Sequence, residues 1–126
     1  MSNLVKMDAT LFTFAAAAVA VYNSNDLSLD SFRGLVIVTD IVTTGGATLT
    51  VKLQGKDMAS GKYYDLTGCT TAGLASVATS YLMVYPGITV VANASVSTTV
   101  PNTCRVVATV TTASLTLAAI GASFLV

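Results

Sequence analysis

Leu49, Val51 and Leu53 alternate with Thr50, Lys52 and Gln54, and this period of two narrows most what the chain can become. Successive side chains of an extended strand point to opposite faces, so this stretch has one apolar face and one polar face. Residues 55–61 are polar and glycine-containing and read as a turn. Tyr64 and Leu66 then resume the alternation among Lys62, Tyr63 and Asp65. The pattern predicts a β-hairpin closed by a loop of about five to seven residues. Lys52, Lys56, Asp57, Lys62 and Asp65, five of the twelve charged side chains, fall on this hairpin, which makes it the best-solvated corner of the chain.

The same logic extends in both directions. Residues 10–22 read as one long apolar strand or two short ones, although Ala15-Ala16-Ala17-Ala18 could also start a helix. Asn23-Ser24-Asn25-Asp26 is a turn cluster, and Leu27 and Leu29 alternate with polar neighbours as a short edge strand. Leu35-Val36-Ile37-Val38, followed by Ile41-Val42, is continuously apolar, the pattern of a strand covered on both faces. Residues 67–79 are small and polar and predict a loop with one weak strand. Tyr81-Leu82-Met83-Val84-Tyr85 is a strand stopped by Pro86-Gly87, and residues 88–96 resume extended chain. Residues 105–110 alternate, and a last strand leads from Leu115 to Phe124-Leu125-Val126. About eight strands at roughly ten-residue spacing predict an all-β fold, an antiparallel sandwich or barrel, of which a jelly-roll-like β-sandwich is the preferred form.

A chain of 126 residues is expected to form a single domain over 1–126, with residues 1–9 as a contact arm. Apolar residues make up 53% and charged residues only 10%, against about 25% in an average soluble domain. So few charges leave much of the exterior to be covered by other subunits. Six basic and six acidic residues are scattered and cancel, so no basic stripe exists to follow a phosphate backbone, and no nucleic-acid partner is expected. The charge-free run 11–22 is similar to a signal-peptide core, but no net positive charge precedes it and it is too short to span a bilayer. A buried strand is the preferred reading, with no membrane partner. Glu is absent, against a helical surface, while Thr and Val are abundant and favour strands.

Little chemistry is available. There is no His, so Ser–His and Cys–His nucleophile pairs are excluded. Cys69 and Cys104 read as two reduced, partly buried thiols, and spacing alone does not show whether they meet. Asp57 and Asp65 flank one loop but read as solvated turn residues rather than an acid/base pair. Residues 55–62 fail the phosphate-loop spacing, with five residues between the glycines and Tyr63 after the Lys. Asn23, Asn25, Asp26 and Asp30 lack the Gly and Glu of a calcium loop. No enzyme activity, metal or cofactor is expected. Tyr63, Tyr64, Tyr81 and Tyr85 offer apolar bodies with polar tips and can line a partner- or sugar-binding surface.

Gln54-Gly55-Lys56-Asp57 with Ser60-Gly61-Lys62-Tyr63-Tyr64-Asp65-Leu66 resembles a group of small all-β proteins of tailed bacteriophages. Val84-Tyr85-Pro86-Gly87 and Val100-Pro101-Asn102-Thr103-Cys104-Arg105-Val106 resemble the same group, in which a Pro and a following Arg-Val strand recur. These motifs cover about half the chain and are structural. The resemblance implies a virion component, assembled in the host bacterial cytoplasm, and within that class a head decoration or cement protein. Its expected partners are the major capsid protein and other copies of itself, as a homo-oligomer such as a trimer. A neck, tail or baseplate component and a carbohydrate-binding module on the virion surface are the alternatives. Met1, Leu4, Val5, Met7, Tyr63, Tyr64, Phe124, Leu125 and Val126 are the expected protein-contact residues.

Overall fold

Alternating stretches and branched runs fold into extended chain: β1 (Met7–Ala17), β2 (Ala20–Asn23), β3 (Leu27–Ser28), β4 (Gly34–Thr43), β5 (Thr48–Lys56), β6 (Tyr63–Thr70), β7 (Ala78–Val84), β8 (Ser95–Val96), β9 (Thr103–Thr111) and β10 (Leu115–Leu125). The structure is a computed structural model that describes residues 7–30 and 32–126, and of Met7 and Asp8 the backbone alone. One sheet has the order β1-β10-β4-β7-β8 and the other β2-β9-β5-β6, with β3 also on β9. Pairing is antiparallel throughout except between β7 and the two-residue β8.

Setting aside β3 and β8, the chain changes sheet at every step except β5→β6. The resulting order, 1-10-4-7 over 2-9-5-6, is the path of a jelly roll. The expected all-β sandwich of jelly-roll type is therefore the observed fold. It has eight longer strands and two short ones among the described residues.

The core lies between the sheets and is built from the inward residues of each alternation. Leu49, Val51 and Leu53 of β5 and Val106, Ala108 and Val110 of β9 face Leu35, Ile37 and Ile41 of β4 and Leu115, Ile120 and Phe124 of β10; all are buried. Aromatic rings close one side, with Phe12 stacked on Phe14 at 5.3 Å and Phe14 edge-on to Tyr22 at 5.1 Å. The β5–β6 hairpin matches its sequence pattern, with Lys56 opposite Tyr63 and Gly55 opposite Tyr64. Its loop is held by Asp57, whose carboxylate accepts from the Ser60 hydroxyl at 2.7 Å and the Ala59 amide at 3.1 Å. Gly61 takes a left-handed φ of 74° there, which a side chain would resist.

Four expectations are corrected. Residues 10–22 form two strands, one of the two expected readings, in different sheets and joined at Ala18-Val19, but the expected burial fails: only Phe14 of this stretch is fully buried. β1 and β2 each end a sheet, and on the far side neither has a strand neighbour among the described residues to bury it. The continuous apolar run of β4 is covered on one face only: Leu35, Ile37 and Ile41 are buried, while Val36 and Val38 are half-buried and Val42 is exposed. The stretch 67–79 is less of a loop than its small residues predict. β6 runs on to Thr70, Thr71 donates to the Val51 carbonyl, and Leu74 exchanges backbone hydrogen bonds with Leu49. Of the extended chain expected over 88–96, only Ser95 and Val96 form a strand; the Ser95 amide and hydroxyl meet the backbone of Val91 and Thr89 in a local turn.

Both cysteines are free and buried. Burial pushes the thiol of Cys69 up to about 11 and that of Cys104 up to about 12. Because the thiolate is the reactive form, neither is expected to react with a disulfide reagent at pH 8 until the protein is unfolded, and two thiols should then titrate. Rapid reaction of the native protein would contradict this packing. Leu53→Ala, at a fully buried position, is expected to cost about 2–5 kcal/mol in denaturant unfolding. A loss below about 1 kcal/mol would place Leu53 outside the core.

Candidate interaction surfaces

Each sheet turns one face to the core and one outward, and the two outward faces differ in chemistry. On the second sheet, the outward residues of β5 are Thr48, Thr50, Lys52, Gln54 and Lys56. Across from them lie Thr109, Val107 and Arg105 of β9, and Asp65 and Tyr63 of β6. Lys52, Gln54, Lys56, Tyr63, Asp65 and Arg105, with Asp26 beside them, form a polar network. Lys52 pairs with Asp65 at 3.0 Å, Gln54 donates to Asp65 at 2.8 Å, and Arg105 donates to Gln54 at 2.9 Å. Lys56 pairs with Asp26 at 2.9 Å, and the Tyr63 hydroxyl donates to the same carboxylate. The Arg105 guanidinium lies 3.5 Å from the centre of the Tyr63 ring and the Lys56 ammonium 5.4 Å, so two cations share one aromatic ring.

The network sets the ionisation of its members. Hydrogen bonds from Tyr63 and then Lys56 hold Asp26 below the usual carboxylate value of 3.8, and those from Gln54 and Lys52 do the same for Asp65. The Asp26 carboxylate in turn raises Lys56.

The outward face of the first sheet is almost without charge. Its cross-strand rows are Ser123–Val36–Met83, Gly121–Val38–Tyr81 and Ala119–Asp40–Thr79, continued by Leu117 and Val42. Asp40 is the charged side chain among these residues, and it accepts a hydrogen bond from Thr79 at 3.0 Å. Tyr81 is 54% exposed and Leu117 42%. The bare backbone of Gly121 leaves a hollow of about 220 Å³ floored by Ala9, Thr10, Val38, Gly121, Ala122 and Ser123. Where β1 passes into β2, at the side of the sandwich, Ala15, Ala16, Ala18, Val19, Ala20 and Val21 are all exposed.

The expected contact residues are dispersed. Met1, Leu4 and Val5 lie outside the described residues. Met7 opens β1 opposite Phe124, so residues 7–9 of the expected arm belong to the sheet. Phe124 is a core residue, 4% exposed and packed on Phe32, so it cannot present its ring to a partner without unfolding. Leu125 is half-buried, and Val126 is exposed with its carbonyl held by the Tyr85 hydroxyl. The four tyrosines do not share one surface. Tyr63 and Tyr64 are neighbours in a strand and point to opposite sides; Tyr64 lies over Gly55 beside Pro101, and Tyr81 is on the other sheet. Among the described residues no group of three or more His, Cys, Asp or Glu is placed to hold a metal. Sequence reasoning misses the exposure of 15–21 and of Val36 and Val38. Their hydrophobicity signals burial, and only strand order shows which of them lack a covering neighbour.

No family model matches the chain, and no curated protein does. Among solved structures, the fold is similar to one described as the crystal structure of SPBc2 prophage-derived protein YomS. The TM-score is 0.52 at 14% identity, over 100% of this chain and 99% of that one. At this identity the likeness is one of fold.

A carboxylate held below its ordinary value favours the folded state above that value, and the contribution disappears as the pH falls through the folded-state pKa. Tyr63→Phe removes the largest cause of the Asp26 shift. It is expected to move the Asp26 titration midpoint up toward 3.8 in a carboxylate NMR titration and to leave Asp65 unchanged. An unmoved Asp26 midpoint would show that the Tyr63 hydroxyl does not bond it in solution.

Proposed function

We propose that the chain is a structural component of a phage particle, and within that class a capsid decoration or cement protein that binds neighbouring major capsid subunits. The observation that carries this reading is the contrast between the outer faces. One is finished by its own ion pairs and hydrogen bonds and is suited to water. The other, with the adjoining side of the sandwich, is apolar around the Asp40 carboxylate and resembles a surface meant to be covered. A protein that cements others needs no active site. Its work is burial of apolar area, at about 25 cal/mol per Å² before the costs of association.

Two further points support the reading. The fold is similar to that of a prophage-derived protein. Of the motifs that carry the resemblance to small phage proteins, the hairpin and the Pro101–Arg105 segment build the water-facing sheet, and Val84-Tyr85-Pro86-Gly87 ends β7 in the other. The sugar-binding alternative finds no support in the tyrosines: Tyr63 has its ring against Arg105, and Tyr64 points to the other side.

Quantitative mass spectrometry of purified particles encoding this chain tests the proposal. Hundreds of copies per particle are expected for a protein that repeats across a head lattice. A handful or a dozen would place it in a neck or tail, and its absence from particles would remove the virion reading.

A further inference from the structure

We propose that two copies of this chain associate side by side about a two-fold axis through the β1 edge, extending the first sheet across both copies. This inference does not rest on the virion reading. It starts from a comparison of the sandwich's edges, because an edge strand presents unpaired N–H and C=O groups and folded chains ordinarily guard them with charge, proline, short length or a covering segment.

Three of the edges are guarded. The β2/β3 edge is broken at Ser24, whose amide and hydroxyl both turn back to bond Val106, and it carries Asp26 in an ion pair. The β6 edge carries Asp65 in an ion pair with Lys52. At the far rim of the first sheet, β7 is covered by 94–96, with Met83 and Tyr85 donating to the carbonyls of Ala94 and Val96. The β1 edge is different. β1 carries one charged residue, Asp8 at its start, and from Ala9 to Asn25 the chain has no charged residue and no proline. A bulge at Leu11 and a left-handed Ala16, φ 52°, bound a straight stretch over 12–15 whose far side meets no strand among the described residues.

A second observation falls on the same side. Seven consecutive apolar residues, 15–21, run around the corner from β1 to β2, and six of them are exposed, with Val19 at 56% and Val21 at 61%. Such an exposed run in a folded chain marks a contact surface. Tyr22 fastens the corner from behind, its hydroxyl donating to the Ala18 carbonyl at 2.7 Å and its ring against Phe14. The apolar run is therefore held in place.

Several features select a second copy as the occupant. A strand paired antiparallel with itself about a two-fold satisfies every donor with the equivalent acceptor of the other copy. With Thr13 on the axis, Phe12 of each copy lies opposite Phe14 of the other. The same axis turns the exposed corner at 18–20 of each copy along the seam. No like charges are brought together, because residues 9–25 carry none. Thr13, Ala15, Ala16 and Ala18 are small enough for the backbones to approach. The side of a two-sheet sandwich measures about 20 by 30 Å, so the pair covers about 1,200 Å² in total, at the lower bound for specific interfaces. A ring or trimer built head to tail would need a second unguarded edge, and the other edges are guarded.

Sedimentation equilibrium of the full chain decides the matter. The expected mass is twice the 12.8 kDa chain at high concentration, falling toward one chain on dilution. Ala15→Lys, at an exposed position, should sediment as a monomer with an unchanged strand signal in circular dichroism. Tyr81→Lys, on the outer face away from the edge, should remain dimeric. A monomer at every concentration, a trimer, unaltered association of Ala15→Lys, or dissociation by Tyr81→Lys instead would overturn the proposal. If a Lys variant fails to fold, the mass of the unaltered chain across concentrations still decides between dimer and no dimer.

Discussion

The shortage of charge constrains everything else in this structure. Two packed sheets have two outward faces and two sides to keep in contact with water, and twelve charged side chains cannot furnish all of them. The chain concentrates them. Asp26, Lys52, Lys56, Asp57, Lys62, Asp65 and Arg105 lie on or beside the second sheet, where most of them bond to one another and to Gln54 and Tyr63. The first sheet keeps valines, alanines, Tyr81, Met83 and Leu117 outward, around Asp40. The same polypeptide thus makes one surface that is complete in water and one that is not.

The jelly-roll path makes this separation possible. The chain crosses repeatedly between sheets, so the hairpin from β5 to β6, the β2–β3 link and β9 meet on one face although they are far apart in sequence. Asp26 and Tyr63 are 37 positions apart and share a hydrogen bond; Gln54 and Arg105 are 51 apart. Such contacts tie the polar face together across the sheet. On the other sheet, β10 and β4 are flanked on both sides and their inward residues are enclosed, whereas β1 ends the sheet, and one side of its backbone meets no partner strand among the described residues.

How much of this fold is legible in the amino-acid sequence depends on whether a signal is local. The hairpin is legible because Leu49, Val51 and Leu53 encode their own face and residues 55–61 encode their own turn. The all-β class follows from spacing, and strand order in the structure gives the jelly-roll path. Burial is misread where it depends on neighbours. Residues 15–21 are as apolar as any core strand, yet their place at the corner of β1 and β2 exposes them. Phe124 reads as an exposed tail residue because it is two positions from the end, yet it pairs opposite Leu35 and packs on Phe32. The second half of β6 is hidden because Thr67, Gly68, Cys69 and Thr70 make a weak strand pattern, and pairing with β5 overrides it.

The proposal is that a chain too poor in charge to complete its own exterior is completed by a copy of itself along the β1 rim. Amide hydrogen exchange of the unaltered protein examines that statement at the atoms concerned. In concentrated solution, the β1 amides that do not point at β10 should exchange slowly over 12–15 and speed up on dilution, while those of β4 stay slow throughout. Fast exchange of these β1 amides at every concentration, with β4 still protected, would show that the rim stays open and that the account is wrong.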